Sequence, residues 1–228
     1  MQHLAIIPDG NRRWAAQRKL ESFFGHKKGT TAVRSAIKVC LEQGIKYLSF
    51  YTFSLENFRR SALEKEYLFN LLATEFTTRL PELIEQGIRV RFIGDASYFP
   101  DNIRGVITQL EEKTRGFTNL NLNLLFCYGA QQEMVNAVKT IAQKVKAGLL
   151  AEEDINEGTI SNALWTQGIP DPELIIRTSG ISRLSNFLLF QAAYSEFLFL
   201  DCFWPEITEE KLLECITRFK SMQRNFGH

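Results

Sequence analysis

The chain has 228 residues, 45% hydrophobic, 12% aromatic and 23% charged, which suits one sizeable packed domain and excludes a disordered chain. Lysine and arginine number 27 against 26 acidic residues, a formal charge of +1. That balance argues against a general nucleic-acid binder, whose affinity comes from neutralising phosphates; any anion must be held by a few focused arginines.

In chain order, Leu4–Ile7 reads as the first strand, with no basic leader before it and Asp9 too close behind for a signal peptide. Val33, Ile37, Cys40 and Leu41 repeat at helical spacing, and Gly44 supplies a stop. Tyr47–Phe53 reads as a strand and Glu64–Glu85 as a helix that Pro81 could bend. A strand at Ile88–Ile93, a helix at Pro100–Thr114, a strand at Leu120–Cys127 and a helix at Gln131–Lys146 follow. Short strands at Leu174–Ile176 and Glu196–Leu200 precede a last helix at Thr208–Gln223. The apolar stretch from Asn186 to Leu200 is broken by Gln191, Ser195 and Glu196, so it is no membrane span. Cys40, Cys127, Cys202 and Cys215 form no C-x-x-C pair and read as buried thiols of a reducing compartment. A cytoplasmic protein is expected, with peripheral membrane contact left open.

Nearly continuous apolar runs mark strands covered on both faces. Their alternation with helices implies an α/β fold: one domain over residues 1–228, with a central, mostly parallel sheet of about six strands flanked by helices. In such sheets ligands bind beyond the C-terminal ends of the strands. The turns at those ends are Asp9-Gly10-Asn11-Arg12-Arg13-Trp14, Ser54-Leu55-Glu56-Asn57-Phe58-Arg59-Arg60 and Arg177 to Asn186. Three arginine-bearing turns and two isolated acids, Asp9 and Glu196, are expected to meet on one edge.

The usual signatures of dinucleotide oxidoreductases, P-loop NTPases, α/β-hydrolases and zincins are absent from the chain. Asp9-Gly10-Asn11 opens a helix directly after a strand. Gly10 allows a tight turn, Arg13 adds a forked cation, and Asp9 could hold Mg²⁺, which favours one or two carboxylates plus substrate phosphates. An ordinary helix cap at Asp9, with solvated arginines, fits the same three residues. Ser54, Glu56, Asn57 and Arg60 read alone as a polar loop; Arg177, Arg183 and Ser185 suit a second diphosphate or plain surface pairing. His26 reads alone as a turn residue. Glu196 lies in an apolar run, where a carboxylate is costly unless paired or bound to a cation. Together, two arginine clusters, two acids and 18 phenylalanines suit two diphosphates with greasy tails.

At these residues the sequence resembles the cis-prenyltransferases, the bacterial undecaprenyl diphosphate synthases among them. The match runs nearly end to end through Asp9 to Ala15, Phe24-Gly25-His26, Phe53 to Asn57, Ile93-Gly94-Asp95, Asn123 with Tyr128-Gly129, Ile176-Arg177-Thr178, Arg183 to Leu189, Tyr194-Ser195-Glu196 and Trp204-Pro205. The resemblance implies condensation of isopentenyl diphosphate in cis onto farnesyl diphosphate. The expected product is a long polyprenyl diphosphate, undecaprenyl diphosphate, for cell-wall lipid carriers, made by a homodimer with Mg²⁺ and without a protein nucleophile. By position it implies Asp9 and Asn57 as catalytic, and Asp9 with Glu196 as metal-associated. It implies Gly10, Asn11, Arg13, Trp14, His26, Ser54, Glu56, Phe58, Arg60, Arg177, Arg183 and Ser185 as substrate-binding. Gly10, Asn11, Arg13 and Arg60 match its allylic-diphosphate cradle; Arg177, Arg183 and Ser185 match its isopentenyl-diphosphate site.

The chain departs from the family pattern at Ser22, Phe58, Ser61, Ser179, Ile181 and Asn225, which bears on affinities rather than on reaction class. A hydrophobic tunnel is expected, with Leu68, Phe69, Leu71, Leu72 and Phe76, and Leu120, Leu122 and Leu124, as either lining or core. Thr52 stands where relatives often carry Ala, close to the chain path. A product of other length, or a catalytically silent partner subunit, is the alternative; Asp9 and the lack of a membrane span argue against the second.

Overall fold

Leu4 and Ile6 pack into one core while Ala5 and Ile7, on the opposite face of the same strand, pack into another. This two-sided burial is why the strand reads as an unbroken apolar run. The structure, a computed structural model, describes residues 1–222; the departure at Asn225 and the residues around it lie outside them.

Six strands form one parallel sheet: β1 (His3–Ile7), β2 (Tyr47–Ser54), β3 (Ile88–Ile93), β4 (Leu120–Tyr128), β5 (Leu174–Arg177) and β6 (Glu196–Phe199). Their order is β3-β4-β2-β1-β5-β6, with every neighbouring pair parallel. The helices are α1 (Asn11–Gln17), α2 (Ser22–Glu42), α3 (Ala62–Glu85), α4 (Asp101–Thr114), α5 (Ala130–Lys146), α6 (Glu157–Ser161) and α7 (Glu209–Ser221).

The expected strands stand within one residue of these bounds. The α2 helix begins well before its apolar stripe, because its first turns carry Gly25 and Gly29 against α1 rather than large side chains against the sheet. The Ser61 hydroxyl caps α3, which runs through Pro81 as one element.

The chain leaves β1 toward β2 on one side and returns to β5 on the other, so β1 is the switch point where a crevice opens. There β2 carries a register shift against β4: Thr52 is an extra residue between the pairs Tyr51–Leu125 and Phe53–Phe126, and its hydroxyl donates to the Leu125 carbonyl at 2.8 Å. Such bulges re-aim side chains beside sites. Leu120, Leu122 and Leu124 are fully buried in one core cluster with residues of α2, α3 and α7, so they serve packing.

Candidate functional site

The turn after β1 bends at Gly10, whose φ of +101° lies in the region that favours glycine. A Cβ there would also stand 2.5 Å from the Phe203 ring. Gly10, not Asp9, occupies the cap position of α1 and makes no side-chain cap, so Asp9 is not an ordinary helix cap. Its backbone is pinned instead: the amide donates to the Thr178 hydroxyl at 2.9 Å and the carbonyl accepts from that hydroxyl at 2.6 Å.

The Asp9 carboxylate is thereby aimed at two arginines from different turns. Oδ1 accepts from Arg13 at 3.2 Å and Oδ2 from Arg177 at 2.8 Å. Burial alone would raise the Asp9 pKa, but Arg177, Arg13 and the Ser179 hydroxyl outweigh it and hold the group below the usual carboxylate range. Arg13 also donates to the Ser179 carbonyl and hydroxyl. Arg177 is 5% exposed and donates to the Arg183 carbonyl and, at 2.8 Å, to Ser185 Oγ.

Ser179, Ser185, Asn186 and Leu188 all have positive φ, so this turn is strained where it meets the site. Tyr51, from β2, steadies it by stacking on Phe187 and pointing its hydroxyl at the Ser185 and Asn186 carbonyls.

A third group gathers beside α2 and α3. Glu64 accepts from Arg60 at 3.1 Å and lies 3.8 Å from Arg12 and 3.9 Å from His26 Nε2. Burial first, then Arg60 and Arg12, lower the His26 pKa to about 4, so the imidazole is neutral at pH 7. Gly25 permits this packing, since a Cβ there would run into the Asn11 carbonyl.

Three cavities meet here. One, of about 580 Å³, is lined by Asp9, Asn11, His26, Tyr51, Ser54, Glu56, Asn57, Arg60, Arg177, Ser185 and Asn186, among others. A second, of about 550 Å³, shares Asp9, Asn11, His26 and Arg60 with it and adds Gly10, Arg12, Arg13 and Ser22. The third, about 160 Å³ and mostly apolar, starts at Pro8, Asn11 and His26. It runs between α2 and α3 past Val33, Thr52, Leu68, Phe69, Leu71, Leu72 and Phe76. Buried Asn11 Oδ1, His26 Nε2 and Arg177 Nε lack a hydrogen-bond partner in the protein, and all three residues line the first cavity. Such orphans invite a ligand.

Most of the expected residues therefore converge, and four do not. Glu196 opens β6, in register with Leu174, whereas the site edge lies at Phe199 and Arg177. Those three residues amount to about 10 Å of strand, so Glu196 and Asp9 of one chain cannot ligate one ion at Mg²⁺ distances. The structure does not bring the expected acid pair together within one chain. Trp14 sits outside the cavities with Arg18 stacked 4.4 Å over its ring. Phe58 packs against Phe53, Phe69 and Tyr98, a core role that needs no indole N–H. Arg183 is exposed on the rim, and its carbonyl, rather than its side chain, holds Arg177. Tyr51, Glu64 and Asn186 join the site beyond the expected set; for Tyr51 the signal in the sequence is a polar tip inside an apolar strand.

Among the described residues no cluster of three or more His, Cys, Asp or Glu could cage a metal. No described helix is long and apolar enough to cross a membrane.

A family model, Prenyltransf, described as "Putative undecaprenyl diphosphate synthase", matches residues 7–227. The chain is 42% identical over 226 residues to a ditrans,polycis-undecaprenyl-diphosphate synthase of Micrococcus luteus, described as (2E,6E)-farnesyl-diphosphate specific; the match covers 99% of this chain and 91% of that protein. It is 45% identical over 225 residues to an isoprenyl transferase of Geobacillus kaustophilus, covering 99% of this chain and 88% of the relative. Lavandulyl diphosphate synthase from Lavandula x intermedia, solved with dimethylallyl diphosphate, superposes with a TM-score of 0.97 at 33% identity, covering 100% of this chain and 98% of that one. A "probable undecaprenyl diphosphate synthase" from Campylobacter jejuni gives 0.83 at 32% identity, covering 100% and 99%.

Proposed function

The chain belongs to the undecaprenyl diphosphate synthase family of prenyltransferases, and from that membership we propose that it condenses isopentenyl diphosphate units in cis onto farnesyl diphosphate. The observation that carries the reading is the Asp9 carboxylate, shared by an arginine from each of two turns. It stands between two polar basins that have an apolar cavity behind them.

Gly10, Asn11, Arg13 and Arg60 bind the allylic diphosphate. Arg177 and Ser185 bind the diphosphate of isopentenyl diphosphate, and exposed Arg183 reaches it from the rim. The carbon–oxygen bond to the allylic diphosphate breaks, the isopentenyl double bond supplies the electrons of the new carbon–carbon bond, and a proton leaves the adjoining carbon. The protein contributes position and charge rather than a nucleophile. At 4 Å near a surface each charge pair is worth about 4 kcal/mol before desolvation, so several arginines together stabilise a departing diphosphate where one would not. Asn57 lines the first cavity from the turn after β2. Its amide is a poor base, and it orients the isopentenyl group or relays the proton. Ser54 accepts from the Asn57 amide at 3.3 Å and so fixes that turn. Neutral His26 offers a ring nitrogen for hydrogen bonding without adding charge.

Members of this family generally need a divalent metal, and the site suits Mg²⁺: an ionised carboxylate on an open rim, facing space for phosphate oxygens that complete the ligand set. Asp9 would hold the ion, which when bound neutralises charge on the leaving diphosphate.

The growing tail runs between α2 and α3, past Leu68, Phe69, Leu71, Leu72 and Phe76. The same reading carries a single-domain cytoplasmic enzyme of cell-wall lipid-carrier synthesis with peripheral membrane contact. It also carries a homodimer, supported by the open sheet edge at β6, where Phe199 is exposed. A product of other length is the second reading, favoured by the modest apolar cavity with Thr52 in its wall. Incubation with Mg²⁺, farnesyl diphosphate and labelled isopentenyl diphosphate, followed by chain sizing, tests both. A C55 product supports the first, another length the second, and no incorporation overturns both.

A further inference from the structure

Asn186 ties α5, the turn after β2 and the turn after β5 together at one side chain and its carbonyl. It sits in the left-handed region at φ +66°, which asparagine tolerates better than most residues. Its Oδ1 accepts from the Gln131 amide at 2.8 Å and its carbonyl accepts from the Ala130 amide at 2.9 Å. These bonds satisfy the first turn of α5, whose own cap residue, Gly129, has no side chain to do so. Its Nδ2 donates to Glu56 Oε1 at 2.8 Å and to Gln132 Oε1 at 3.0 Å. The amide orientation is unambiguous, because a backbone N–H only donates and a carboxylate only accepts.

We propose that Asn186 is a positioning residue that fastens the turn carrying Arg183 and Ser185 to the turn carrying Glu56 and Asn57, holding the two in one register. This rests on the prenyl-transfer reading above. Ser185, the immediate neighbour of Asn186, bonds Arg177, which in turn bonds Asp9. Asn57 is the immediate neighbour of Glu56. A slip at Asn186 therefore misplaces the isopentenyl site and the Asn57 amide together, without touching the hydrophobic core.

The test is a double-mutant cycle in the full-length enzyme with Asn186→Asp and Glu56→Gln. Asn186→Asp keeps the acceptor for the Gln131 amide, and a helix N-terminus favours an anion, which offsets part of the repulsion from Glu56, so the melting temperature should fall by only a few degrees and the variant should remain folded. It replaces the Nδ2 donor with a carboxylate oxygen facing Glu56. The KM for isopentenyl diphosphate should then rise on the order of tenfold, the usual weight of a hydrogen bond to a charged group, with KM for farnesyl diphosphate little changed. Adding Glu56→Gln restores a donor opposite the introduced carboxylate, so the double variant should be less impaired than the product of the two single effects predicts. Independent, multiplying effects would overturn the proposal, as would an unaltered KM for isopentenyl diphosphate in Asn186→Asp. A parent enzyme that incorporates no isopentenyl diphosphate would instead count against the prenyl-transfer reading.

Discussion

Replacing Asp9 with asparagine should separate binding from turnover, with opposite signs. The parent site places one carboxylate 3.2 Å from Arg13 and 2.8 Å from Arg177, leaving the three groups with a net charge of +1. The neutral amide raises that to +2 with little change in volume. For a phosphate charge roughly 6 Å away, the removed repulsion is about 0.7 kcal/mol in water and about 3 kcal/mol at an effective dielectric of 20. Metal-free pyrophosphate should therefore bind roughly 3- to 100-fold more tightly to Asp9→Asn, as read by calorimetry. The variant meanwhile loses the carboxylate proposed to hold Mg²⁺, and kcat with Mg²⁺ should fall by about 100-fold or more, the usual weight of a removed electrostatic stabiliser. Arg177 keeps Ser185 and the Arg183 carbonyl as partners, so the fold should survive. Parental turnover, or weaker pyrophosphate binding, would refute the placement of Asp9 between the two diphosphates.

Arg183→Ala should raise the KM for isopentenyl diphosphate several-fold with folding intact, because the side chain is exposed and only its carbonyl braces Arg177; steady-state kinetics with each substrate varied would show it. His3 and His26 are both lowered from 6.5 to about 4, chiefly by burial. The unfolded chain thus takes up their protons first as pH falls, so stability is full above 6.5 and drains between 6.5 and 4. Each site accounts for about 3 kcal/mol at most, and urea midpoints at pH 7 and 5 should differ accordingly, less so in His26→Gln. Leu72→Trp, which fills the apolar cavity between α2 and α3, should shorten the product without abolishing the first condensation, as sized by chromatography of the labelled chains.

The sheet was legible because its strands are short apolar-rich runs bounded by turns: Tyr47 to Phe53 is largely buried, and even the edge strand Ile88 to Ile93, with Arg89 and Arg91 half-buried, keeps Ile88, Val90 and Ile93 in the core. Short turns lock the site just after those runs, so Asp9, Ser54 and Arg177 could be placed from order alone. Glu196 shows the limit. A lone acid in an apolar run signals something unusual, but Glu196 is the first residue of its strand, and in a parallel sheet that is the end away from the ligand edge, so the strand reading itself already weighed against its meeting Asp9. Trp14 and Phe58 show a second limit: aromatic residues beside catalytic ones share a motif without sharing a cavity, since the helix or turn rotates them to another face. The weight of Asn186 was not legible because it lies in five hydrogen bonds to chain segments up to 135 residues away, for which no local pattern exists.

The central claim is geometric: two diphosphates side by side across Asp9, with one hydrocarbon tail entering between α2 and α3. A crystal structure with Mg²⁺, isopentenyl diphosphate and a non-hydrolysable thio-analogue of farnesyl diphosphate tests it directly. One diphosphate should lie against Gly10, Asn11, Arg13 and Arg60, the other against Arg177, Arg183 and Ser185, and the tail against Leu68, Leu72 and Phe76. Both diphosphates in one basin, or a tail leaving the protein away from α2 and α3, would contradict it.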